Sequence, residues 1–191
     1  MALSSTSAAV FLDKDGTLIH DEPYNVDPAR IRLREDAAMA LAALQKAGYA
    51  LFLVSNQSGV ADGRFPESAL DGVWRYLQTE LGRHGVVLSG IYYCPHGHAA
   101  GCGCRKPQAG LLQRAAQEHG VALQASWMIG DILDDVEAGR RAGCRTILLD
   151  VGSETEWQDS PWRRPDFVTS ALSFASHHIL SSDGKSCGVL S

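Results

Sequence analysis

The sequence predicts an α/β fold, a three-layer sandwich with a central parallel sheet between helices. Two observations lead there. Short apolar runs alternate with stretches of helical period through most of the 191 residues. Each of the first four runs also stops at polar punctuation: Asp13 and Asp15, then Ser55 and Asn56, then Cys94, then Asp131. Alternating strands and helices pair in parallel through right-handed crossovers, and ligands of such sheets bind beyond the carboxyl ends of the strands.

The first strand is predicted at 8–12, "AAVFL". The following "IHDEPYNVDPARIRL" carries two prolines and several turn formers and reads as a loop or hairpin. Ala37, Leu41 and Leu44 recur at helical spacing within 34–48, and Gly48 supplies a stop. A buried strand follows at 49–56. Leu70, Val73, Trp74, Leu77 and Leu81 mark a helix within 66–85 that ends at Gly85. The β-branched and aromatic run "GIYYC" is a third strand. Beyond a cysteine-rich loop come helix 109–120, strand 126–131, helix 133–143 and strand 144–151, then a weaker strand at 166–170 and helix at 171–180. One domain over 1–180 is expected, with 181–191 as a disordered tail. Trp74, Tyr76 and Trp127 are expected to pack, Trp157 and Trp162 to cover a sheet edge, and His177 and His178 to be exposed.

Composition narrows the class. With 45% hydrophobic and 20% charged residues the chain is an ordinary globular one. A net charge of −5 without a long basic run argues against a nucleic-acid or membrane-surface partner and for a small soluble substrate. No window approaches the ~20 apolar residues of a membrane span, and the N-terminus has no basic region before its apolar stretch. A cytoplasmic monomer is expected.

Cys94, Cys102 and Cys104 lie close together around two histidines, whereas Cys144 and Cys187 stand alone. This is a metal-site pattern with free thiols, not a disulfide framework. "CPHGHAAGCGC" offers Cys94, His96, Cys102 and Cys104, three thiolates and an imidazole, which would close a tetrahedral structural zinc site. His98 is the alternative fourth ligand.

The stretch "FLDKDGTL" runs a buried strand into two acids. In extended backbone Asp13 and Asp15 share one side and Lys14 turns away. Asp131 is a third carboxylate at a matching strand end. Three convergent acids repel one another unless a cation intervenes, and oxygen donors of this kind suit Mg²⁺ with substrate phosphate. Asp131 and Asp135 also fit the start of a helix, where acids cap and complement the dipole.

These residues resemble the haloacid dehalogenase (HAD) superfamily of phosphohydrolases. Its D-x-D-x-T motif is matched by Asp13, Asp15 and Thr17, its strand-ending Ser or Thr by Ser55, its Lys by Lys106 in "CRKP", and its acidic pair by Asp131 and Asp135 in "GDILDD". The motifs occur in family order from about Val10 to Asp150. The resemblance implies a Rossmann-like sandwich and a phosphomonoesterase. Asp13 would be the nucleophile, forming an aspartyl-phosphate, and Asp15 the general acid/base. Ser55 and Lys106 would hold the phosphoryl oxygens, and Mg²⁺ would sit on Asp13, the backbone carbonyl of Asp15, and Asp131.

The cysteine loop followed by "CRKP" resembles a zinc-loop subgroup that acts on a heptose bisphosphate or on histidinol phosphate. "SNQSGVADGRF" looks like the heptose branch, while the five-residue gap between His96 and Cys102 looks like the histidinol-phosphate branch. The favoured expectation is removal of the 7-phosphate of D-glycero-D-manno-heptose 1,7-bisphosphate, in lipopolysaccharide synthesis. Histidinol phosphate, or another small sugar phosphate, is the alternative. A non-catalytic phospho-ligand binder would be expected to lack one of the acids. A phosphorylated receiver domain would carry an Asp where Cys94 stands.

No insert is long enough for a large cap domain, so loops must read the substrate. Asn56, Gln57 and Ser58 are expected to line its entrance, with Arg64 and Arg105 as candidates for a remote phosphate.

Overall fold

The computed structural model describes residues 7–185. Six parallel strands form one sheet in the order β3-β2-β1-β4-β5-β6: β1 Ala9–Leu12, β2 Ala50–Asn56, β3 Gly90–Cys94, β4 Trp127–Gly130, β5 Arg145–Leu149 and β6 Phe167–Thr169. Among the described residues five α-helices connect and cover them: α1 Ala37–Lys46, α2 Leu70–Gly82, α3 Gly110–His119, α4 Leu133–Ala142 and α5 Leu172–Ser182.

Alternation along β1 divides the core. Val10 and Leu12 join Leu51, Leu53, Ile129 and Ile147 beneath α1, α2 and α5. Ala9 and Phe11 face the other way and pack with Phe52, Val54 and Met128 beneath α3 and α4. Both faces are therefore buried, which is why the strands read as continuous apolar runs. Phe11 pairs with Phe52 on one side and Met128 on the other, so β1 is held at the centre. At Gly139 of α4 an added Cβ would approach Met128 and Thr146 to 2.7 Å. Glycine there lets the helix lie close to the sheet.

The chain goes from β1 outward to β3 and then returns to place β4 against the free side of β1. A topological switch point therefore lies between β1 and β4, where ligands of such sheets bind.

Several expectations shift. The second helix starts at Leu70 after a short 3-10 turn, Glu67–Ala69, and stops at Gly82 rather than Gly85. Ser181 and Ser182, at the start of the expected tail, still belong to α5, and Asp183 pairs with Arg145 and Tyr49. Residues 186–191, with Cys187, lie outside the described residues. Trp157 and Trp162, expected to cover a sheet edge, are 62% and 48% exposed. His178 is half-buried, stacked on Phe167 at 3.9 Å and set edge-on to Trp127. Among the described residues no helix is long and apolar enough to cross a membrane.

Candidate active site

The carboxyl ends of β1 and β4 bring four charged side chains together. Asp13 follows β1 directly and is still on the ladder, its N–H donating to the Ile129 carbonyl at 3.0 Å. Beyond it the backbone winds tightly: the Lys14 carbonyl accepts from both Leu18 and Ile19. Gly16 makes that turn with φ +77°, and a Cβ there would overlap the Asp131 carboxylate. Thr17 Oγ1 donates to Asp131 Oδ1 at 3.0 Å, and the nearby Ser153 hydroxyl helps to lower the proton affinity of that carboxylate.

Lys106 enters from the loop after β3, fully buried. Its Nζ donates to Asp13 Oδ1 and to the Val54 carbonyl, the latter at 2.9 Å, and lies 2.6 Å from Asp135 Oδ1. Asp135 also accepts from Ile132 N, so one buried carboxylate both caps α4 and anchors the lysine. Oxygens of Asp13, Asp131 and Asp135 all lie within 4.8 Å of one another.

Such crowding changes proton affinities. Burial pushes the Asp13 carboxyl well above the usual range; Lys106 opposes this, and the charges of Asp135, Asp131 and Asp15 reinforce it. Burial, then Asp135, raises Asp131 to about 6. Burial draws Lys106 down, but Asp13 and Asp135 outweigh it and hold the ammonium above its ordinary value. Three acids share one cation here, and a divalent ion would complete the charge balance. Hard oxygen donors with room for water suit Mg²⁺.

The remaining expected residues divide. Ser55 is buried at the end of β2, and Gln57 Nε2 donates to its Oγ at 2.8 Å and to Asp15 Oδ2 at 3.3 Å. Gln57 thus ties site residues together from a buried position. Asn56 borders the cleft, yet both ends of its amide bind the Lys106 backbone, each at 3.0 Å. Both also line the cleft of Asp15 and Ser58, so they brace neighbouring site groups from its wall. The expectation for Lys14 is corrected: its ammonium contacts Asp15 Oδ1 at 2.5 Å instead of turning away. The strand ends at Leu12, so the alternation assumed for residues 13–15 does not apply.

Ser58 lines a cleft of about 250 Å³ with Asp15, Asp21, Tyr24 and Phe65. Arg64 lies over the Tyr24 ring, 4.9 Å from its centroid, at the same mouth. Arg105 borders a separate cleft of about 430 Å³ with Lys106, Pro107 and Asp134. Its guanidinium donates to the His96 carbonyl at 3.1 Å and reaches the His98 ring at 2.7 Å.

In the loop after β3, Cys94, His96, Cys102 and Cys104 gather their donor atoms. The sulfurs are 3.1, 3.5 and 3.6 Å apart, and His96 Nδ1 lies 3.4 Å from Cys94 and 3.3 Å from Cys104. Zinc–sulfur bonds of about 2.3 Å in a tetrahedron put sulfurs about 3.8 Å apart, so a small opening would admit the ion. His98 is outside the cluster, on Arg105. Burial raises the Cys94 thiol to about 12. Cys102 is lowered to about 6, since the Arg105 N–H and the neighbouring thiols outweigh burial.

Ser153 and Glu154 were missed by sequence reading. Glu154 Oε2 accepts from Leu133 N at 2.6 Å, closing the start of α4. Both follow β5, and the strand-end rule applied to that strand would have found them.

The HAD-hydrolase-like family model matches residues 103–175. The chain is 41% identical over 148 residues to the D-glycero-beta-D-manno-heptose-1,7-bisphosphate 7-phosphatase of Haemophilus ducreyi, covering 74% of this chain and 81% of that one. It is 36% identical over 155 residues to the protein of that name from Escherichia coli K12, covering 77% and 81%. In structure it is similar to the D,D-heptose 1,7-bisphosphate phosphatase of B. bronchiseptica, solved with magnesium and phosphate, at TM-score 0.77 and 29% identity over 92% of this chain and 99% of that one. With motif, strand order and relatives in agreement, the chain belongs to the HAD-like phosphatases, in the branch that holds the heptose-bisphosphate phosphatases.

Proposed function

We propose that the chain hydrolyses the 7-phosphate of D-glycero-D-manno-heptose 1,7-bisphosphate in two displacements at Asp13. The observation that carries this is the buried pairing of Asp13 with Lys106 beside Asp131 and Asp135. It supplies a nucleophile, a fixed positive charge and a cation site in one place. The names of the relatives support the choice of sugar.

Asp13 attacks phosphorus, the ester P–O bond breaks, and Asp15 gives its proton to the departing alkoxide. Asp15 then takes a proton from water, whose oxygen attacks the aspartyl-phosphate and frees Asp13 with inorganic phosphate. Lys106 and Ser55 hold the phosphoryl oxygens, and Lys106 offsets charge as it moves. Asp13, Asp131 and the Asp15 carbonyl would hold Mg²⁺, which when bound supplies positive charge at the phosphoryl group. The cleft of Asp15 and Ser58 and the cleft of Lys106 and Arg105 leave room for the sugar and its second phosphate, with Arg105 in the latter. Cys94, His96, Cys102 and Cys104 would hold a structural zinc.

Phosphate release with Mg²⁺ from the heptose bisphosphate and from histidinol phosphate, side by side, tests the reading. The bisphosphate should be preferred by about 100-fold or more in kcat/KM, ~3 kcal/mol of discrimination. Preference for histidinol phosphate would make the short metal loop the specificity signal instead.

A further inference from the structure

Lys14 lies between the two acids of the first turn. Its side chain is 2% exposed, and its ammonium touches Asp15 Oδ1 at 2.5 Å. Taking an ammonium out of water is unfavourable unless a partner compensates, and Asp15 is the partner provided. The two N–H groups that converge on the Lys14 carbonyl fix the backbone here, so the side chain is presented by a rigid turn.

The second oxygen of Asp15 has a different setting. Oδ2 accepts from Gln57 Nε2 at 3.3 Å, and the same nitrogen donates to Ser55 Oγ at 2.8 Å. Oδ2 is thus on the Ser55 side, under a long contact that an incoming group can replace. Oδ1 is committed to Lys14.

We propose that Lys14 is a positioning residue for protonation of the leaving group: it fixes Oδ1 of Asp15 so that Oδ2 meets the departing alkoxide. This rests on the reading of Asp15 as general acid. In the step, the proton on Oδ2 passes to the alkoxide oxygen as the ester P–O bond breaks and the Asp13 O–P bond forms. Lys14 keeps its protons and stabilises the carboxylate that Asp15 becomes. A carboxyl free to rotate would present the proton in fewer encounters.

The leaving group separates this role from a purely structural one. A sugar alkoxide needs the proton, whereas 4-nitrophenolate departs without it. Steady-state kinetics of wild type, K14M, K14Q and K14R with the heptose bisphosphate and with 4-nitrophenyl phosphate make the comparison. K14M and K14Q should lower kcat on the sugar ester about 30-fold or more, with KM changed less than ~3-fold, and lower turnover of the aryl ester less than ~5-fold. K14R should recover to within ~5-fold of wild type. Added to D15N, K14Q should cost less than a further ~2-fold. K14Q keeps a polar side chain of similar length, so it serves where Met is not accommodated.

Equal losses on both esters, no loss on either, or a full additional loss in the D15N background would overturn the assignment. Wild-type enzyme releasing phosphate from neither ester would instead overturn the phosphomonoesterase reading itself.

Discussion

Asn56 and Lys106 are 50 residues apart in the chain and hold each other by two hydrogen bonds, side-chain amide to peptide, both 3.0 Å. Asn56 ends β2, and Lys106 sits on the loop after β3. The amide therefore sets where the lysine's backbone stands, and Val54 O, Asp13 and Asp135 then set its ammonium. Asn56→Ala should lower kcat about 10- to 100-fold while secondary structure is retained, because the lysine is displaced rather than removed. Kinetics beside circular dichroism check this; unchanged kcat would show that the ammonium contacts alone suffice.

Asp13→Asn should remove turnover, by at least about 10³-fold, since an amide cannot form the aspartyl-phosphate. The fold should survive. Lys106 keeps Asp135, and one charge fewer relieves the crowding of the acids. Residual activity within ~10-fold of wild type would place the nucleophile elsewhere.

Purified protein should carry about one zinc per chain. Cys102→Ser should release most of it and lower Tm by about 5 °C or more, because the loop has few apolar residues to hold it otherwise. Activity should fall as well, since Cys104 is separated from Lys106 only by Arg105. Metal analysis and a thermal melt decide it: an intact Tm in zinc-free protein would mean that the loop stands on hydrogen bonds alone.

Stability should depend on pH through the clasp that holds the end of α5. Asp183 pairs with Arg145 at 2.6 Å and accepts from Tyr49. Although burial opposes it, Arg145 and Tyr49 hold the Asp183 carboxyl below its ordinary value of 3.8. A depressed acid contributes stability that is present above 3.8 and lost as pH falls through the lower folded value. Tyr49, raised above 10.0 by burial and by Asp183, contributes stability that is present below 10.0 and lost at higher pH. Asp183→Ala should therefore cost about 1–2 kcal/mol near neutrality, with the deficit shrinking toward pH 3. Urea unfolding from pH 3 to 8 measures it, and a pH-independent deficit would point to packing rather than charge.

The strands were legible because burial on both faces writes itself as unbroken apolar runs, and "DKDGT", "CRKP" and "GDILDD" were legible because each closes such a run or opens a helix. Contacts that depend on distant segments were not. Nothing in "SNQS" tells that Asn56 faces a peptide 50 residues away, or that Gln57 bridges Ser55 and Asp15. Lys14 was misread because the strand rule was carried past Leu12 into a turn. His178 was read from its polarity, whereas its place between Trp127 and Phe167 follows from how α5 crosses the sheet.

The strand order carries a consequence for descent. Asp13 and Asp131 ride on β1 and β4, the two neighbouring strands at the middle of the sheet, where nearly any change disturbs the core. The groups placed to read a sugar hang instead from three connections: the stretch after β1, the turn after β2 and the metal loop after β3. Bond cleavage and choice of substrate are thus separately heritable. A lineage built on this frame can redraft its loops and take up a different phosphate ester while the hydrolytic kernel passes on untouched.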